Sequence, residues 1–426
     1  HAERLFGTGI SPDEILCLTF TRKAAAEIAE RAEQRIAAVF GEDPARPPAS
    51  VSTYNAYSAQ LVAEHGLRLG IDPDATTLTD AALWQLASDV VDGWTGTVAT
   101  DAAISSVVSA IPRLAAQLRD HELTPEGLRA WAEGALARLD ALPKKEGDRA
   151  PGRFTLDLGG RVAKVRSLAA LADLVEEFQR RKREASQLDF ADQVAYAADL
   201  SRLAAVQDIE RGRYRAVLLD EFQDTSPGQL RLFSRLFGPT HHVMAVGDPH
   251  QAIYGFRGAS ESALPMFAEE FAGGREVRPA SLSVSWRNEG SVLAVANAAA
   301  RPLRAGTRVP VGELRSRAQF LDQDEPPREA PGVESLVAPD HEEEADAVAR
   351  FILARRDQLS DGESVPTAAV LCRRRAQFAT VVEALADHGI DYEVVGLGGL
   401  VDAPEVADLV ALLEVAHDPS RGDSAM

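Results

Sequence analysis

Residues 215–237 read "RAVLLDEFQDTSPGQLRLFSRLF", with two carboxylates, Asp220 and Glu221, directly behind the apolar run Val217-Leu218-Leu219. Acids at the tip of a buried strand are held in a fixed place with little water behind them. One of the pair can hold Mg²⁺ on nucleotide phosphates, and its neighbour can orient or deprotonate an attacking water. The same pair could instead cap a helix, because "DTSPGQ" is a good helix start, and acids are favoured at helix N-termini. A second group follows at 246–260, "VGDPHQAIYGFRGAS". It offers a carboxylate at Asp248, a neutral amide at Gln251 that can touch phosphate without a charge penalty, rings at Tyr254 and Phe256, and a guanidinium at Arg257. Aromatic faces beside an arginine are the ingredients of a single-strand stacking platform. Taken alone, the loop could equally be a packed turn.

Strands must carry these groups. "YRAVLLD" and "HHVMAVGD" read as buried strands separated by the helical stretch "SPGQLRLFSRLF", a βαβ unit that implies a parallel sheet covered on both faces. Function in such sheets sits at the carboxyl ends of the strands, where Asp220 and Asp248 fall. Nearer the start, Ile15 to Phe20 reads as a strand. A polar turn follows, then a helix marked by Ala24, Ile28, Ala32 and Ile36. Val51-Ser52-Thr53 leads into another helix. From about residue 60 to 185 the strand signal fades, and Leu168, Leu171, Val175 and Phe178 mark one face of an amphipathic helix. This block is expected to be an all-helical insertion, with Trp84, Trp94 and Trp131 in its core. "TAAVLCRRRAQFATVVEALADHGIDYEVVGL" reads as strand, helix, strand. The pattern predicts an α/β fold of two lobes, the first interrupted by the insertion.

A chain of 426 residues, 45% hydrophobic and 26% charged, can bury more than one core. No apolar run reaches membrane-spanning length, and "HAERLFGTG" carries no signal-like segment and no initiator Met. The chain is expected to be a fragment of a soluble, cytoplasmic protein with no membrane partner. The two cysteines, Cys17 and Cys372, lack a pairing or metal-binding pattern. No third ligand is spaced for His241-His242, which are expected at a strand edge. A formal charge of −20 argues against a broadly basic nucleic-acid surface, so any such contact must be confined to a groove.

"LLDEFQDTS" followed by "VGDPHQAIYGFRGA" resembles motifs II and III of the UvrD/Rep/PcrA-like superfamily 1 DNA helicases. "LTFTRKAAAEIAERA" is similar to motif Ia, "STYNAYS" to motif Ib, "LDFADQV" to the segment returning from the insertion, and "LSVSWRN" to motif IV. The segment from "AAVLCRRRAQF" onward resembles the second lobe, and "VVGLGGLVDAPEVADLVALLEVAHDP" further resembles actinobacterial helicase-nuclease chains of the AdnB type. The resemblance implies two RecA-like parallel-sheet lobes of the P-loop NTPase type. They would be divided as 1–59 and 188–277 for the first lobe, 60–187 for the helical insertion, and 278–426 for an incomplete second lobe.

Residue by residue, the resemblance implies that Asp220 ligates Mg²⁺ with Glu221 beside it as catalytic base, and that Gln251 senses the γ-phosphate of ATP. Arg287 would reach that phosphate from the second lobe, and Trp286 would stack beside the adenine. Thr19, Phe20 and Thr21 would line the single-strand path with Tyr54 and Asn55, and Tyr254, Phe256 and Arg257 would couple hydrolysis to base stacking. Phe256 stands where the family usually has Trp, and Trp286 where it usually has Tyr; both keep an aromatic face. No Lys is followed by Ser or Thr, as a P-loop requires. The resemblance places that loop upstream of His1 and motifs V and VI beyond Met426, so residues 1–426 alone are expected to be inactive. It implies an ATP-dependent 3′–5′ translocase acting on single-stranded and partly duplex DNA in repair or recombination, with a helicase or nuclease subunit as a candidate partner. The rival is a non-catalytic helicase-fold subunit serving as a DNA-binding scaffold.

Overall fold

The computed structural model describes residues 9–96, 98, 102–140, 153–255, 263–277, 279–304, 306, 309–322, 332–357, 367–395, 406, 409–410, 412–413 and 416. The chain divides into two compact units, His1–Asn288 with Ala296–Asp322, and Glu289–Val295 with Gln323–Met426.

The first unit is built on a four-stranded sheet of β1 (Ile15–Thr19), β2 (Ser50–Thr53), β5 (Ala216–Leu219) and β6 (His242–Ala245), in the order β2-β1-β5-β6. Every pairing is parallel, with Thr19 beside Thr53, Leu18 beside Leu219, and Leu219 beside Ala245. All four carboxyl ends therefore share one edge of the sheet. The central strands are the most buried: every residue of β1 is buried, as are three of the four in β5. That is the reason they read as unbroken apolar runs rather than as alternating ones. Leu16, Leu18, Val217 and Leu219 pack with Tyr54, Tyr57, Phe222, Phe233 and Phe237 into one core.

Residue 60, where the insertion was expected to begin, lies inside helix Tyr54–His65, whose Leu61 and Val62 belong to the sheet's core. The insertion proper is bracketed by a two-stranded parallel ladder, β3 (Thr76–Thr77) with β4 (Gln187–Leu188). Between them run helices Asp80–Asp92, Ile104–Asp120, Pro125–Asp140 and Arg153–Glu184. They enclose a separate core of Val90, Ile111, Leu174, Val175 and Phe178. Trp94 packs against that core, whereas Trp84 and Trp131 are exposed, contrary to expectation. Leu83, Leu86, Ala87, Val90 and Val91 already fill the inward side around Trp84, leaving its ring on the outer side of the helix.

The insertion is fastened to the sheet by polar contacts. Asp120 Oδ1 accepts from Ser226 Oγ at 2.6 Å and from the Gly228 backbone N–H at 3.1 Å. The buried ammonium of Lys182 lies between Asp189 and Asp192. A last short parallel ladder in this unit joins β7 (Val284–Ser285) to β8 (Arg315–Ser316).

In the second unit, helices His341–Arg356 and Phe378–Asp387 are present. The segments 367–372 and 390–394, expected as strands, carry no ladder among the described residues, and Leu371 is 94% exposed. An apolar run marks a segment that prefers burial, but a strand forms only where a neighbour completes its hydrogen bonds. No helix among the described residues is long and apolar enough to cross a membrane.

Candidate functional site

The shared carboxyl edge brings Thr19, Phe20, Tyr54, Asp220 and Tyr254 of the predicted residues together. β5 ends at Leu219, and the Asp220 N–H donates to the Leu18 carbonyl at 2.8 Å, so Asp220 sits beside the end of β1. Its carboxylate Oδ2 accepts from the Thr19 hydroxyl at 3.0 Å, and its carbonyl accepts from the Tyr54 hydroxyl at 2.8 Å. Thr19 and Tyr54 are 0% and 1% exposed. They were expected to line a strand path, but side chains this buried leave no surface for a ligand. Their hydroxyls instead hold Asp220 in place. Burial, reinforced by the Asp220 charge, pushes the Tyr54 phenol well above its ordinary pKa and the Cys17 thiol up to about 11. Both remain protonated at neutral pH, and Tyr54 is fixed as a donor.

The next residue breaks the regular backbone. Glu221 is exposed and adopts φ +49° and ψ +39°, the left-handed region, which costs a non-glycine residue on the order of 1 kcal/mol or more. A single turn of 3₁₀ helix, Phe222–Asp224, follows it, and helix Pro227–Phe237 starts only at the Ser226 cap, whose hydroxyl accepts from the Gln229 N–H. Ser226, and not Asp220 or Glu221, caps this helix, so the acids stand outside the helix start.

The loop after β6 meets this turn. Asp248 Oδ1 accepts from the His250 N–H at 2.9 Å and Oδ2 from Gln251 Nε2 at 2.8 Å, so Asp248 organises the loop that carries Gln251. Gln251 is exposed. Further along, the Ile253 N–H donates to Asp224 Oδ1 at 3.2 Å. Tyr254 then stacks on Phe20 at the end of β1. Thr21 is exposed and caps helix Arg22–Phe40 through the Ala24 N–H, and exposed Asn55 accepts from Gln229 Nε2 at 3.1 Å. Phe256 and Arg257 lie outside the described residues.

Trp286 and Arg287 follow β7 and are exposed, with the Arg317 guanidinium 5.2 Å from the Trp286 ring centroid. No hydrogen bond or ion pair joins Arg287 to Asp220, Glu221 or Gln251 among the described residues. Sequence reasoning passed over Gln223 and Asp224, which join the turn after β5 to the loop after β6. The available signal was the dipeptide Gln223-Asp224 within "DEFQDTS", a second polar pair directly after Asp220-Glu221 and Phe222.

A parallel sheet with an acid pair at one strand tip and an organised loop at the next has the architecture of a RecA-like helicase lobe. Residues 2–272 match the UvrD/REP helicase N-terminal domain, and the chain belongs to that family. It is 30% identical over 266 residues to the ATP-dependent DNA helicase UvrD1 of Mycobacterium tuberculosis, covering 59% of this chain and 31% of that protein. It is 27% identical over 416 residues to UvrD2 of the same organism, covering 96% of this chain and 52% of that protein. Against the ATP-dependent DNA helicase PcrA of Leuconostoc citreum it is 24% identical over 413 residues, covering 96% of this chain and 47% of that protein. The chain thus spans about a third to a half of the length of these relatives.

Proposed function

We propose that this chain forms the acid-bearing part of a cytoplasmic, ATP-driven DNA helicase that moves 3′ to 5′ along single strands and acts in DNA repair or recombination. The observation that carries this reading is the meeting, at one sheet edge, of the Asp220-Glu221 pair with the Phe20–Tyr254 stack. Hydrolytic groups and a base-stacking surface are thereby built on adjoining strand ends.

Adjacent carboxylates are hard oxygen donors of the kind Mg²⁺ requires, and Asp220 is anchored from behind by Thr19 and Tyr54. These residues fit the metal. Asp220 would hold it, with Glu221 alongside, while Gln251, Trp286 and Arg287 would serve the nucleotide's phosphates and base. When bound, Mg·ATP supplies the phosphoryl group whose transfer to water drives the motor. The task of Glu221 is to take the proton of that water from an exposed position, with one carboxylate oxygen held by Gln223 Nε2 at 2.7 Å. Phe20, Thr21, Asn55 and Tyr254 border the strand path, and the role of Phe256 and Arg257 in it rests on the sequence resemblance alone. The wider enzyme would act on partly duplex DNA, with a helicase or nuclease subunit as partner. A non-catalytic scaffold has no need of a strained, exposed Glu221 beside an anchored Asp220, and that observation favours the enzyme. The test is DNA-stimulated ATPase and unwinding by the full-length protein, compared with its Asp220→Asn variant. Equal activity of the two would reject the reading.

A further inference from the structure

The side chain of Gln223 is 3% exposed and spans the gap between the turn after β5 and the loop after β6. Its Oε1 accepts from the Asp248 backbone N–H at 3.1 Å, and its Nε2 donates to Glu221 Oε2 at 2.7 Å and approaches Asp224 Oδ2 at 3.4 Å. The orientation of this amide is dictated by its partners. A backbone N–H can only donate and a carboxylate can only accept, so the oxygen must face Asp248 and the nitrogen Glu221. The approach also constrains Gly247, where an added Cβ would collide with Gln223 Oε1. Neighbouring Asp224 accepts from the Ile253 N–H, one residue before the stacked Tyr254.

We infer that Gln223 is a positioning residue that links the catalytic carboxylate to the strand-binding loop, so that a shift of Glu221 is passed through one buried amide to Asp248 and the loop that carries Tyr254. This rests on the proposed role of Glu221 as base. The two ends of the amide have different work. The nitrogen holds Glu221 in the orientation that its left-handed backbone allows, and the oxygen ties down the backbone of Asp248, whose carboxylate in turn holds Gln251. A side chain placed only to fill space would need neither contact. A buried amide that satisfies both ends has two partners to lose, so a movement at one end is felt at the other.

The experiment uses the full-length enzyme and measures single-strand affinity with and without a non-hydrolysable ATP analogue, together with the KM for ATP and kcat. In the wild type the analogue should change single-strand affinity about fivefold or more, the lower end of ordinary coupling between sites. In Gln223→Met, which keeps the volume and loses both hydrogen bonds, that change should fall to less than about twofold, with nucleotide-free affinity and KM preserved and kcat reduced. Gln223→Glu keeps an acceptor for Asp248 but loses the donor to Glu221, and should lose kcat while retaining part of the analogue's effect. Gly247→Ala, which displaces the amide without altering it, should behave as Gln223→Met does and serves if that variant is unstable. Unchanged coupling in Gln223→Met and Gly247→Ala, or no coupling in the wild type, would overturn the inference. Glu221→Gln assayed in parallel separates the two levels: wild-type hydrolysis by that variant would reject Glu221 as base, while the coupling ratio still judges Gln223.

Discussion

The rings of Phe20 and Tyr254 stack with centroids 4.7 Å apart and planes 18° apart, joining the end of β1 to the loop after β6 across 234 residues of sequence. In the proposed strand path a base would stack beside this pair. Tyr254→Ala should therefore weaken single-strand binding by about 1–3 kcal/mol, and Tyr254→Phe should restore it, because the stack requires the ring and not the hydroxyl. Fluorescence anisotropy with a labelled oligonucleotide at fixed salt measures both. Unchanged affinity for the alanine variant would make the pair a packing contact.

Tyr54 donates to the Asp220 carbonyl from a buried position. Tyr54→Phe removes only that hydroxyl and should cost about 1 kcal/mol of stability, the net worth of one such bond. Urea unfolding should show the midpoint falling with an unchanged slope. No shift in midpoint would mean that the carbonyl finds another partner at no cost.

Lys182 is buried between Asp189 and Asp192 where the insertion returns to the sheet. Lys182→Met leaves buried Asp189 without this cation and Asp192 with only Arg119 at 3.5 Å, and removing one member of a buried ion cluster costs roughly 3–5 kcal/mol. Equilibrium unfolding should register that loss, and limited proteolysis should find the insertion cut first. A loss below about 1 kcal/mol would show that the carboxylates are satisfied in another way.

Glu122, in the turn after helix Ile104–Asp120, meets Arg235, Arg202 and Arg231. The hydrogen bond from Arg235, then those from Arg202 and the nearby guanidinium charges, outweigh burial and hold its carboxyl down at about 2. A depressed carboxylate stabilises the fold fully above its unfolded pKa of about 4.3 and loses that contribution as pH falls through about 2. Glu122→Gln should thus be less stable than the wild type at pH 7, with the two converging toward pH 2. A stability difference independent of pH would remove ionisation from the account.

Much of this arrangement could be read from the residues. The strands at Ile15–Thr19 and Ala216–Leu219 were legible because parallel strands buried on both faces read as short apolar runs, and the edge strand His242–Ala245 because its apolar stretch is short and bounded by polar residues; the polar ends marked the site. The acids at 220 and 221 stood out for the same reason. The burial of Thr19 and Tyr54 did not, because it depends on an acceptor at Asp220 some 201 and 166 residues away. Trp84 and Trp131 were misplaced because an indole in an apolar helix looks like core until its neighbours are known to fill that side. The expected strands around helix Phe378–Asp387 carried the right pattern, but pairing depends on a partner strand, which a local pattern does not specify.

The most direct test of the central claim is single-turnover ATP hydrolysis by Glu221→Gln in the full-length enzyme, with nucleotide and single-strand binding measured on the same preparation. The account places Glu221 beside an anchored Asp220, on a backbone held in the left-handed region by its surroundings. It predicts that both ligands bind with near wild-type affinity while the chemical step slows by about a hundredfold or more, the scale of losing a general base. Hydrolysis at close to the wild-type rate would contradict it.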